Sequence, residues 1–190
     1  MRVKGTQTEK NLLASFAGES QARNRYSFYA SKAKKEGFVQ IGNIFEETAA
    51  NEREHAKRFF SYLEGGVAEI TATYPAGIIG CTLDNLKESA MGENEEHTKL
   101  YPEAAETADK EGFPEIAAQF RSIAKVEVEH EKRFRKLIDN IEKELVFKRN
   151  QPVRWKCTNC GYVHEGTEAL KLCPSCFHAE KYFEIKETNY

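Results

Sequence analysis

The chain has 190 residues, of which 40% are hydrophobic and 31% charged, and a formal net charge of -2. That is a soluble globular balance, and no apolar run approaches the roughly 20 residues that a membrane span requires. Acidic and basic residues interleave without a basic stripe that could follow a phosphate backbone, so neither a membrane nor a nucleic acid is an expected partner. Met1 to Gly18 mixes Lys4, Glu9 and Lys10 with short apolar pieces, unlike the ordered regions of a signal peptide, and a cytoplasmic location is expected.

Thr6 to Glu9 fits a capping box, and the helical period that follows runs to Glu36, where Gly37 stops it. A second helix is predicted from about Gln40 to Glu64, ended by Gly65 and Gly66. Residues 67–81 carry Pro75, Gly77 and Gly80 and read as a long crossover loop. A third helix is expected from about Leu83 to Glu111 with a kink at Pro102, and a fourth from Pro114 to about Glu144. Four helices with one long connection predict an all-α, ferritin-like four-helix bundle over residues 1–146.

The bundle region repeats itself. Tyr26, Glu36, Gly37, Phe38, Ile41, Phe45, Glu52, His55 and Phe59 recur 75 positions later as Tyr101, Glu111, Gly112, Phe113, Ile116, Phe120, Glu127, His130 and Phe134. Two copies of one helical hairpin should pack about a pseudo-two-fold axis and bring equivalent residues face to face. In the fourth helix the core seam reads Ile116, Phe120, Ile123, Glu127, His130, Phe134 and Leu137, and in the second it reads Ile41, Phe45, Thr48, Glu52, His55, Phe59 and Tyr62. Each seam therefore drives a Glu-x-x-His pair inward at matching height. Ionised carboxylates withdrawn from water cost several kcal/mol each, so a symmetric set without cations would unfold a domain of ordinary stability. Glu19 and its mate Glu93 supply one carboxylate from each remaining helix, and Glu96 adds one more, where the first copy has Ala22. Carboxylates with two imidazoles suit a pair of iron or manganese ions. Glu54, Glu129, Glu95 and His97 fall on more solvated faces, whereas Tyr26 and Tyr101 return to the ligand face as candidate hydrogen-bond donors to it.

Residues 147–190 form a second unit. Cys157, Cys160, Cys173 and Cys176 make two Cys-x-x-Cys knuckles, a pattern that in a chain without a secretion signal favours one tetrahedral metal over disulfides. The spacing alone admits zinc as well as iron. Trp155, Tyr162, Phe177, Tyr182 and Phe183 are expected to form a small aromatic core, giving a β/loop domain whose folding leans on its metal.

The whole chain resembles rubrerythrin, from Ala17-Gly-Glu-Ser-Gln-Ala-Arg-Asn-Arg-Tyr26 through Glu52-Arg-Glu-His55 and Glu127-Val-Glu-His130 to the rubredoxin-like knuckles. The resemblance implies a carboxylate-bridged di-iron site that reduces hydrogen peroxide to water and a four-cysteine iron that returns electrons to it, in oxidative stress defence. On that reading Glu52 and Glu127 bridge, Glu19 and Glu96 bind one iron, and Glu93 and His130 bind the other. His55 exchanges with Glu96 when the redox state changes. Reducing equivalents from NAD(P)H would arrive through an external donor, a rubredoxin or a flavoprotein reductase. Phe177 departs from the small residue usual after the last knuckle of simple rubredoxins. A head-to-tail homodimer is expected as well, since residues 145–156, if extended, would span up to roughly 40 Å to a neighbouring bundle. The competing expectations are a ferroxidase or iron-storage protein of the ferritin type and an adaptor whose last domain binds zinc.

Overall fold

The computed structural model describes residues 2–188 as an all-α four-helix bundle followed by a small β domain. Thr6 caps α1 (Gln7–Lys35), its hydroxyl accepting the Glu9 amide at 3.1 Å, while the Glu9 carboxylate reaches back to the Gly5 amide at 2.7 Å. The helix ends where Gly37 turns left-handed at φ 90° and the Phe38 amide closes on the Ala33 carbonyl at 2.8 Å. α2 (Val39–Phe60) stops four residues before the predicted Glu64, in single turns through Ser61 to Leu63.

The third helix is not continuous. α3 (Thr82–Glu95) and α4 (Tyr101–Lys110) are joined by a π-helical turn at Glu96–Leu100, in which the Tyr101 amide reaches the Glu96 carbonyl. This replaces the kink expected at Pro102, and the repeat explains it. Glu19 and Tyr26 are seven residues apart (26 − 19 = 7), whereas Glu93 and Tyr101 are eight apart (101 − 93 = 8). The second copy holds one residue more, and a helix takes in a single extra residue as one π turn. α5 (Pro114–Glu142) ends two residues before the predicted Glu144, which itself adopts a left-handed φ of 56° as the Leu145 amide closes on Asn140 at 2.7 Å.

The repeat is also visible in how the halves hold one another. The Glu36 carboxylate accepts the Thr82 amide and hydroxyl at 2.8 and 2.6 Å at the start of α3, and Glu111 accepts those of Thr8 at 2.7 and 2.6 Å near the start of α1. Each half thus caps the other's first helix with a negative charge. Two aromatic clusters follow the same symmetry. Phe59, Tyr101 and Phe120 pack with ring centroids 4.9 to 5.9 Å apart, and their mates Phe134, Tyr26 and Phe45 pack at 5.2 to 5.9 Å.

In the β domain, β1 (Lys148–Cys157) is the central strand, antiparallel to β2 (Val163–Glu168) on one side and β3 (Phe183–Ile185) on the other. Trp155 and Phe183 are fully buried, with Phe147, Val153, Leu170, Tyr182 and Ile185 against them. Phe177 and Tyr162 do not belong to this core, contrary to expectation: Phe177 is 74% exposed, its left-handed φ of 59° turning the ring outward, and Tyr162 is 36% exposed. Residues 145–156 are not a free tether either. Most of them lie in β1, and Phe147 stacks on Phe38 at 6.5 Å, which ties the domain to the α1–α2 turn of its own bundle. No helix among the described residues is long and apolar enough to cross a membrane.

Candidate metal centres

Two groups of side chains converge in the bundle between the aromatic clusters. Glu19, Glu52, His55 and Glu127 form one, Glu52, Glu93, Glu127 and His130 the other, and within each group the ligand atoms lie within 4.8 Å of one another. Glu52 and Glu127 belong to both. His55 Nδ1 is 3.0 Å from Glu52 and Glu127 and 3.7 Å from Glu19, while His130 Nδ1 is 2.8 Å from Glu127, 3.1 Å from Glu52 and 3.4 Å from Glu93. The two imidazoles turn Nδ1 to opposite oxygens of the shared carboxylates, His55 to Glu52 Oε2 and Glu127 Oε1 and His130 to Glu52 Oε1 and Glu127 Oε2, and His130 presents Nε2 to Asn51 Oδ1 at 3.3 Å. Tyrosines from opposite halves support the outer carboxylates. Tyr26 Oη donates to Glu93 Oε1 at 2.6 Å, and Tyr101 Oη donates to Glu19 Oε1.

The electrostatics show what such a cluster requires. Burial and the neighbouring Glu52, Glu96 and Glu127 push the Glu19 carboxyl well above the usual carboxylate range, and burial raises Glu93 to about 8. Burial opposes charge on His55, but Glu127 and Glu52 outweigh it and hold the imidazole at about 9. Burial also opposes charge on Glu52, yet His130 and His55 keep its carboxylate down at about 2. Buried negative charge at this density calls for positive charge to balance it. Close as the imidazoles stand, Glu19 Oε2, Glu52 Oε1, Glu93 Oε2, both Glu127 oxygens and His130 Nδ1 are buried without a hydrogen bond of proper geometry. An orphaned buried polar atom costs about 1–3 kcal/mol, so a focus of such atoms is a site built for metal ions.

Glu96 stands apart from both groups. It lies in the π turn, half-buried, on the wall of a cavity of about 660 Å³ between α1, residues 72–75 and the α3–α4 helix, together with Gly18, Arg25, Tyr74, Gly92 and Tyr101. Burial and the charges of Glu93, Glu127 and Glu52 still push its carboxyl up, so it faces the cluster electrostatically. Glu54 and Glu129 point to solvent and pair with Lys57 and Lys132 at 3.4 and 2.7 Å, and Glu95 is exposed. His97 is not on the solvated face assigned to it: its side chain is only 15% exposed and meets Glu131. Helical periodicity announces neither the π turn nor this pair, although the change of repeat offset from 74 at Glu93 (93 − 19 = 74) to 75 at Tyr101 (101 − 26 = 75) marks the inserted residue.

In the β domain Cys157, Cys160, Cys173 and Cys176 bring their sulfurs within 4.8 Å of one another, with Sγ pairs at 3.8 Å (Cys157 and Cys176) and 3.6 Å (Cys160 and Cys173). A disulfide needs about 2.05 Å, whereas sulfurs bound tetrahedrally at about 2.3 Å lie roughly 3.8 Å apart. Each knuckle closes by an amide to its first cysteine's carbonyl, Gly161 to Cys157 at 2.8 Å and Phe177 to Cys173 at 2.9 Å. Both closing residues are left-handed, a conformation easy for Gly161 and costly for Phe177.

With this geometry in place the comparisons with known proteins are decisive. The family model described as Rubrerythrin matches residues 10–138, and the one described as Rubrerythrin, rubredoxin-like domain matches residues 155–184. The chain belongs to the rubrerythrin family. Rubrerythrin of Porphyromonas gingivalis is 61% identical over 99% of this chain and 94% of its own length, and that of Nitratidesulfovibrio vulgaris is 56% identical over 99% and 98%. A solved structure described as the partially reduced state of nigerythrin superposes with a TM-score of 0.64 at 28% identity, covering 97% of this chain and 92% of the other. A bacterioferritin from Desulfovibrio desulfuricans shares the bundle fold, with a TM-score of 0.65 at 15% identity over 73% of this chain and 82% of its own. As a rubrerythrin, the chain is a member of an oxidoreductase family and carries a ferritin-like di-iron site and a rubredoxin-like four-cysteine iron site.

Proposed function

We propose that this rubrerythrin reduces hydrogen peroxide to water in the bundle, in defence against oxidative stress, with electrons passed singly from the four-cysteine site. Two overlapping ligand groups that share Glu52 and Glu127, in a chain that also carries a one-electron module, are the observation behind this reading. A pair of irons held by these residues would supply the two electrons that, with two protons, turn one peroxide into two waters. Glu52 and Glu127 would bridge the two positions; Glu19 and His55 would complete one, and Glu93 and His130 the other. Glu96, on the cavity wall, would exchange with His55 when the redox state changes. Tyr26 and Tyr101 keep the outer carboxylates oriented by donating from Oη.

We also propose a cytoplasmic, head-to-tail homodimer or larger homo-oligomer fed by an external donor, a rubredoxin or a flavoprotein reductase drawing on NAD(P)H. His130 to Glu142 is twelve residues, about 18 Å of helix, so the cysteine site of the same chain begins far from its own bundle site. A neighbour's site then becomes the natural recipient. The test is anaerobic reduction followed by stoichiometric peroxide, with both iron chromophores followed. Rapid oxidation of the bundle site with reoxidation of the cysteine iron is expected, and Cys160→Ser should keep the first event and lose multiple turnovers. Preferential oxidation by dioxygen with growth of a mineral core would instead mark a ferroxidase.

A further inference from the structure

The first half of the bundle is a control for the second. In the second half the Glu131 carboxylate, nearly buried on α5, accepts His97 Nε2 at 2.5 Å, Asn94 Nδ2 at 3.2 Å from both oxygens and Arg135 Nε at 2.6 Å. Asn94 and His97 flank Glu96, one at the end of α3 and one inside the π turn. The first half has nothing comparable. Ala56 takes the place of Glu131 (131 − 75 = 56), and Ser20 takes that of Asn94 (94 − 74 = 20) with its hydroxyl turned back to the Phe16 carbonyl of its own helix at 2.6 Å. There α1 is uninterrupted and the place of Glu96 is held by Ala22. The π turn, the extra carboxylate and the Glu131 cluster therefore occur together and are absent together.

A π turn breaks the regular helical ladder, and its backbone is held only as well as its surroundings hold it. We infer that Glu131 clamps the π turn through Asn94 and His97 and so sets where Glu96 stands relative to the metal cluster, making His97 and Glu131 positioning residues. Arg135, on the next turn of α5, keeps the carboxylate aimed inward from the solvent side. The functional value of the clamp rests on the peroxidase reading; its geometry does not. A loose turn would let Glu96 spread through the cavity, and a rigid one offers it a narrow set of positions at the edge of the cluster.

The test compares the metal-loaded full chain with His97→Ala, His97→Gln and Glu131→Gln by hydrogen exchange and by peroxide turnover. In His97→Ala the amides of residues 96–101 should exchange about tenfold faster, with those of α1 and α2 unchanged, as expected for one lost hydrogen bond to a charged acceptor. Turnover should fall in kcat with KM nearly constant, because Glu96 is misplaced rather than the entrance blocked. His97→Gln, which keeps an N–H donor, should restore most of both. Should His97→Ala fail to fold, the isosteric Glu131→Gln must give faster exchange confined to the same segment. Parental exchange in the turn, or a rise spread evenly over the bundle, would overturn the inference. If the parent itself shows no turnover, the peroxidase reading falls and the exchange result still decides the clamp.

Discussion

The α1–α2 hairpin and the hairpin of α3, α4 and α5 offer matched candidate ligands, Glu19, Glu52 and His55 from one and Glu93, Glu127 and His130 from the other. They part company at one level, where the second has Glu96, a π turn and Glu131 and the first has alanines at 22 and 56. The shared residues fill the closed interior where metals fit. Of the unshared ones, Glu96 lies on the wall of the cavity beside α1, and Glu131 meets the π turn from α5. Symmetry thus builds the matched interior, and its local failure brings one extra carboxylate to a cavity wall.

The comparison can be broken most forcefully at the shared carboxylates. Glu52→Ala and Glu127→Ala should each lose the bundle metals and lower peroxide turnover more than about a hundredfold, while the four-cysteine absorbance stays intact. Metal analysis that finds one variant filled and the other empty would show that the two do not act as equals. The tyrosines come next. Tyr26→Phe strips a fully enclosed carboxylate of its donor and should cost about 2–3 kcal/mol in the metal-free protein, whereas Tyr101→Phe should cost about 1 kcal/mol because water from the cavity can replace the hydroxyl. Thermal unfolding of both variants measures the difference; equal costs would mean the cavity is dry at that wall.

Smaller effects belong to the caps. Burial acts against charge on Glu36, but the hydrogen bonds from Thr82 and Lys32 hold its carboxyl below the ordinary value, so it stabilises the fold at neutral pH. Since the folded value is the lower one, this contribution is present above the unfolded pKa and disappears as pH falls through the folded one. Glu36→Gln should cost about 0.5 kcal/mol at pH 7, the low end for a cap because the group is partly solvated, and the gap should close below about pH 4. Denaturant unfolding at the two pH values gives the answer. The smallest effect compares the two knuckles: Phe177→Gly would copy Gly161, and metal release to a chelator should slow about twofold, the surplus of relieved strain over added chain freedom.

Much of this was legible in the sequence because it was periodic. A seam that reads Ile, Phe, Ile, Glu, His, Phe, Leu places its polar pair inside by spacing alone, and the repeat doubles the statement. The π turn was hidden because Pro102 offered a ready explanation for a break, while the single inserted residue changed only an offset. Ideal helical angles point His97 outward, and the π turn turns it to Glu131 instead. Phe177 is a core residue by type, and its exposure and left-handed backbone place it outside the core. Glu131 sits one place beyond the ligand His130, and nothing in its spacing announces a partner 34 positions upstream (131 − 97 = 34).

The crossed contacts have a consequence for how the bundle comes apart. Tyr26 serves Glu93 and Tyr101 serves Glu19; Glu36 caps α3 and Glu111 caps α1. Neither hairpin can satisfy its own buried groups, so an intermediate with one hairpin formed and the other unravelled is penalised at four places simultaneously. The duplicated architecture, which invites stepwise folding, is wired into a single cooperative unit. Two separate polypeptides, one for each hairpin, should be largely unfolded alone and regain helical structure only when mixed.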